Sequence, residues 1–203
     1  MLARFQACLQ ALGQRPVPER QLGLVLDGLA EPHRAYHTEQ HIRECLQLFD
    51  TYRDHADAPY EVEFSIWMHD AIYDPTARDN EARSAEWAAR LLSAADADDA
   101  LIDRVTGLIL ATKHDAAPEA GTDSALLVDI DLAILGASPQ RYREYCAQVR
   151  FEYAHVPDDA WHTGRAAVLR QFLSRAVLYQ TPALHDQLDI RARHNLRLAL
   201  RDL

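Results

Sequence analysis

The chain has 203 residues, which at roughly 150 per domain suits one compact core. It is 48% hydrophobic and 26% charged, a globular composition, and its seven glycines form no Gly-x-Gly-x-x-Gly; the single lysine, Lys113, follows Thr112, so no Walker A loop can be written. A formal charge of −10 and the lack of any run of five basic residues exclude a duplex-binding arm that works by counterion release.

Ala, Leu, Arg, Gln and Glu dominate and alternating Val, Ile and Thr are missing, so nearly everything reads as helix. Residues 2–13 and 18–30 form an opening pair, broken at Pro16 and Pro18 and closed by Glu31-Pro32. A long amphipathic helix is expected from His37 to Tyr52, with His37, His41, Cys45 and Leu48 on one face. The segment from Pro59 to Ile72 is apolar almost all round, as a helix enclosed by others would be. Asp79 or Asn80 can cap a helix to Ala94, and Asp98 or Asp99 starts one whose stripe of Leu101, Val105, Leu108 and Ile109 leads to Lys113-His114. Residues 116–124 read as a loop, ALLVDIDLAILG as a short helix stopping at Gly136, and Pro139 as the first turn of a helix to about His155. Two further helices are expected over 161–180 and 183–201. The last 43 residues hold seven Arg against three acids, a basic end on an acidic body that could attract a small anion.

Cys8, Cys45 and Cys146 are odd in number and show no Cys-x-x-Cys spacing, and MLARFQACLQALGQR lacks the apolar core of a leader. No run approaches the eighteen or so apolar residues of a membrane span. The expectation is a cytoplasmic protein with reduced thiols, no membrane partner and no duplex nucleic acid; the oligomeric state is not legible.

Ionisable groups in core-facing stripes need partners, a metal or a neutral form. Four places fit: His37 with His41, His69 with Asp70, Lys113 with His114, and Asp129 with Asp131. Asp129 and Asp131 lie on different sides of a helix, so only one should reach a shared point. The His69-Asp70 pair stands between Ser65-Ile66-Trp67-Met68 and Ala71-Ile72-Tyr73, whereas His185-Asp186 opens a polar helix where Asp serves the first turn.

The order of these motifs, His41 in YHTEQHI, His69-Asp70 in WMHD and an Asp in DIDLAIL, resembles the H…HD…D signature of the HD-domain superfamily of metal-dependent phosphohydrolases. The likeness runs from about Arg34 to Leu135, and EPHRAYHTEQHI, HDAIYDPTARDNEARSA and RARHNL resemble a bacterial branch of predicted phosphohydrolases. It implies an all-α fold, an HD-domain-like helical bundle with additional N- and C-terminal helices, spanning residues 1–203 as one domain. It also implies a divalent metal on His41, His69, Asp70 and Asp131, with Asp129 the competing fourth ligand. His37 takes the place of the residue that protonates a leaving group. His114 stands where dinuclear members put additional ligands, though their fuller His sets are not evident.

Independently, two imidazoles and two carboxylates suit Mn, Fe, Co, Ni or Zn better than Mg or Ca, which prefer oxygen shells; Mg stays admissible. A divalent ion acidifies a coordinated water, and Asp70 could take its proton. His37, with an ordinary pKa near 6.5, is placed for general-acid work. Arg34, Lys113 and His114 are the candidates for holding substrate phosphate, with Arg165 and Arg193 behind them and Glu81 as a residue that could orient a ligand. The function expected is hydrolysis of a phosphate ester or anhydride of a small soluble, nucleotide-like molecule. The rivals are a non-catalytic metal-containing sensor of an anionic metabolite and an HD-fold di-iron oxygenase, which needs a second ligand set.

Overall fold

Helix-forming sequence becomes helix over most of the described residues. The computed structural model describes residues 1–114 and 117–203, and among these it is all-α, with no strand. The helices are α1 (Leu2–Leu12), α2 (Glu19–Gly28), α3 (Glu39–Tyr52), α4 (Pro59–Met68), α5 (Asn80–Ala94), α6 (Asp99–Ala111), α7 (Asp123–Asp131), α8 (Pro139–Glu152), α9 (Asp158–Ser174) and α10 (Pro182–Arg201). Short 3-10 segments follow α3 at Arg53–His55 and α7 at Leu132–Gly136. One hydrophobic core runs from Phe5 to Leu196, and no helix is long and apolar enough to cross a membrane among the described residues.

The central helix is α4, which packs on α1, α3, α5, α6 and α7. Every residue from Glu61 to Met68 is buried, as its all-round apolarity requires, and Trp67 stacks on Phe5 with ring centroids 4.8 Å apart. Its two buried acids are paired, as buried charge must be. Arg104 grips Glu61 with two hydrogen bonds of 2.9 and 2.6 Å, and Arg4 and Arg53 meet Glu63.

The sequence carries α4 on to Ile72, but the helix stops at Met68 with His69 as its C-cap residue. The cause is Arg34. Its guanidinium is fully buried and donates to the carbonyls of Asp70 at 2.6 Å, Ala71 at 3.2 Å and His37 at 3.3 Å. Ser84 takes the amide of Ile72 at 3.0 Å. The chain therefore turns immediately after His69, holding Asp70 beside it. The phosphate-holding role expected of Arg34 is corrected accordingly: its donors are spent on the backbone and on Glu31.

The start of α3 is displaced in the same way. His37 does not belong to the helix, because Thr38 is the N-cap and accepts from the amide of Gln40. The carboxylate of Glu152 accepts from the amides of Ala35, Tyr36 and His37 at 2.8, 2.7 and 3.0 Å, fixing an irregular turn before the helix.

The C-terminal region clamps the segment that ends α7. Tyr179 donates to the Leu132 carbonyl at 3.1 Å, Asn195 to those of Leu135 and Ala137 at 2.9 and 3.0 Å, and Arg191 to that of Gly136. Gly136 is required there, since a Cβ would stand 2.8 Å from Cβ of Leu188 on α10. The helix expected over 161–180 ends at Ser174, because the following strip is extended to deliver the amides of Gln180 and Thr181 to Asp129, at 3.0 and 2.5 Å. Arg193, expected as a weak phosphate candidate, pairs with Asp189 and caps carbonyls at the end of α9 instead. The loop expected over 116–124 yields to α7 from Asp123, capped by Thr122; Ala116 lies outside the described residues.

Replacing Asp129 by Ala leaves two amides and the start of α10 unpartnered. Loss of roughly 2 to 4 kcal/mol is expected in urea unfolding, at about 1 to 3 per orphaned buried group; an unchanged midpoint would show that the clamp contributes nothing.

Candidate metal centre

Three separate segments deliver the cluster: α3 brings His41, the end of α4 brings His69 and Asp70, and the end of α7 brings Asp131. His41 Nε2 lies 3.2 Å from His69 Nε2, 3.1 Å from Asp131 Oδ1 and 3.5 Å from Asp70 Oδ2. His69 Nε2 lies 3.2 Å from Asp70 Oδ2 and 3.5 Å from Asp131 Oδ1. Both imidazoles are buried, while the carboxylates keep 17% and 14% of their side-chain surface exposed, so the cluster opens toward solvent on the acidic side. Asp131 is thus the residue that reaches the shared point, and Asp129 is the one that does not.

Two overlapping groups here could hold a metal ion, His41 with His69 and Asp70, and His41 with Cys45 and Asp131. Donors about 2.1 Å from one ion stand about 3.0 Å apart at a right angle and about 3.4 Å apart at the tetrahedral angle. Three of the separations here, 3.1 to 3.2 Å, fall inside that range and two, at 3.5 Å, lie just beyond it. The hydrogen bonding points the same way. His69 Nδ1 donates to the carbonyl of Ile66 at 2.9 Å, which turns the lone pair of Nε2 toward the cluster. Asp70 Oδ2 is buried and has no hydrogen-bond partner among the described residues. A buried acceptor facing other acceptors at 3.2 Å is costly unless a cation lies between them.

Charge within the cluster is shared accordingly. Burial alone would raise the Asp70 carboxyl, but His69, His37 and His41 outweigh it and hold the group well below the usual carboxylate range. Asp131 behaves alike, with burial outweighed by His114, His41 and His69. Burial would lower His69, yet Asp70 and Asp131 raise it well above its ordinary value.

His114 Nε2 approaches the other oxygen of Asp131 at 2.9 Å, from a backbone in the left-handed region with φ of 60°. Cys45 lies one turn after His41, with Sγ 3.7 Å from His41 Nδ1. Burial and then Asp131 push its thiol well above the ordinary range. Lys113 is exposed and shares a polar cleft with His37, His114, Glu81 and Arg78. Arg165 lines a chamber that Asp131 also lines, and a neighbouring pocket with Tyr142 and Cys146.

His37 is oriented by a partner that sequence reasoning missed. Its Nδ1 lies 2.7 Å from Glu152 Oε2, which also accepts from the Tyr73 hydroxyl at 3.0 Å, and its ring stacks on Tyr73 with centroids 4.0 Å apart. Burial works against the charged imidazole, but Asp70, Glu152 and Asp131 together raise its pKa. Burial likewise raises Glu152, but His37 and the amides of Ala35 and His37 bring it down to about 2. Glu152 stands 115 positions from His37 in an ordinary helical run, and no local signal marks it.

No protein-family model, curated protein or solved structure matches the chain.

A pH dependence follows from the His37–Glu152 pair. His37, raised above 6.5, contributes stability fully below that pH and loses it as pH rises through the folded value; Glu152, lowered from 4.5 to about 2, contributes fully above 4.5 and loses it as pH falls toward 2. In chelator-treated protein, Glu152→Gln should cost about 1.5 to 3 kcal/mol between about pH 4.5 and 6.5, and less at about pH 9. Urea unfolding across that range checks it; a deficit that does not vary with pH would remove the charge from the interaction.

Proposed function

We propose that this chain is a metal-dependent phosphohydrolase of the HD type, cleaving a phosphate ester or anhydride of a small soluble molecule, with nucleotides in the candidate class. The observation that carries this reading is the His41–His69–Asp70–Asp131 cluster, partly open on its carboxylate side, with an imidazole held beside it by a carboxylate.

His41, His69, Asp70 and Asp131 would hold the ion. A divalent ion supplies Lewis acidity there, making water a better nucleophile near neutral pH and offsetting charge on phosphoryl oxygens. Asp70 is also the group to take a proton from the attacking water. His37 gives Nδ1 to Glu152, which leaves Nε2 to face substrate, and the acidic surroundings favour its protonated form. It delivers that proton to the departing oxygen as the P–O bond breaks, while water supplies the new oxygen on phosphorus. Lys113 and Arg78 bring positive charge to the cleft in which the phosphoryl group would lie.

Phosphate release measured on a panel of nucleotides and simple esters with Mn, Fe, Co, Ni, Zn or Mg should appear only with metal. His69→Ala and Asp131→Ala should lose bound ion and turnover together. If either keeps both, it is not a ligand. Binding of metal and anion with no turnover on any ester would instead support the sensor reading. His37→Ala should keep its ion and slow esters of poor leaving groups by about 10²- to 10⁴-fold while sparing good ones. Equal slowing across leaving groups would take His37 out of the acid role.

A further inference from the structure

Two chambers meet at the cluster, and they differ in character. His37, His114, Asp131 and Tyr153 line both. One is the polar cleft of Arg78, Lys113 and Glu81. The other, of about 480 Å³, lies between α8 and α9 and is walled by Tyr145, Val149, Trp161, Val168 and Phe172. It exists because α9 packs mainly on α10 and stands off from α8. The result is apolar surface left to water, including Val168, which is 39% exposed.

Arg165 lines this chamber too, its guanidinium 5.3 Å from the centre of the Tyr145 ring. Its Nη2 is buried and has no hydrogen-bond partner among the described residues. Such a donor is costly unless something accepts from it.

Resting on the hydrolase reading, we propose that the substrate is a phosphate ester whose leaving group has an apolar, ring-sized body bearing a hydrogen-bond acceptor. The phosphoryl group lies in the polar cleft, the organic body fills the α8–α9 chamber, and Arg165 donates to the acceptor. His37, at the seam between the chambers, is then beside the oxygen that joins the two parts, which is where a leaving-group acid must stand. A small polar ester or an inorganic anhydride would leave the chamber unused.

The test uses binding as well as turnover, so that the two readings can fail separately. Benzylphosphonate and methylphosphonate are titrated calorimetrically into the metal-loaded chain, since burial of the ring should tighten binding at least about tenfold. Gly164 faces the chamber, and a side chain added there meets nothing within 4 Å, so Gly164→Leu should fold normally, by thermal melt, and bring the ratio close to one. A carboxylate on the ring, as 4-carboxybenzylphosphonate, should bind more tightly than benzylphosphonate, and Arg165→Met should abolish that gain. Equal affinity for the benzyl and methyl compounds, or a ratio that survives Gly164→Leu, would overturn the proposal even if esters are hydrolysed. Absence of the carboxylate gain, or its persistence in Arg165→Met, would overturn the acceptor assignment. Discrimination that behaves as described without hydrolysis of any ester in the panel, benzyl phosphate included, would support the chamber and overturn the hydrolase reading.

Discussion

Two imidazole nitrogens lie 3.2 Å apart, and each stands within 3.5 Å of an oxygen of Asp70 and of Asp131, in a site that covers the imidazoles almost completely. Such a group of acceptors repels itself unless positive charge stands among them, as a proton or as a metal ion. The four side chains are set on three separate packed segments. His41 is one turn into α3, His69 caps α4, and Asp131 ends α7.

The surrounding hydrogen bonds serve those three placements. Arg34 turns the chain at Asp70, and Ile66 fixes the tautomer of His69. The strip before α10 anchors Asp129, two residues before Asp131, while Tyr179, Asn195 and Arg191 hold the turn that follows. Glu152 binds three consecutive amides and one ring nitrogen of the segment that presents His37. This degree of connection around the cluster restrains the segments that carry it. A restrained site costs little reorganisation when a cation or an anionic substrate arrives.

Much of this was legible in the chain itself. The helical class follows from composition, and the position of α4 in the centre follows from its lack of a polar face. Four places where ionisable residues stand among apolar neighbours were visible, but the choice of His41, His69, Asp70 and Asp131 from them rested on the resemblance of the motif order to the H…HD…D signature. Arg34 misled, since an arginine beside a His-rich motif looks the same whether it binds phosphate or caps a chain reversal 36 residues away. The choice between Asp129 and Asp131 turned on where residues 180 and 181 would pass, a tertiary fact. Glu152, Tyr73 and the α8–α9 chamber had no sequence signal, because their partners are distant along the chain and an ordinary solvated helix would carry the same residues.

The central claim is that one cation belongs among these four side chains. The most direct measurement is an anomalous difference map from crystals of the chain soaked in Mn²⁺. The account predicts a single strong peak within about 2.3 Å of His41 Nε2, His69 Nε2 and one oxygen each of Asp70 and Asp131. A map with no peak there, in which the carboxylates and imidazoles are joined by hydrogen bonds alone at full Mn²⁺ occupancy elsewhere, would contradict it.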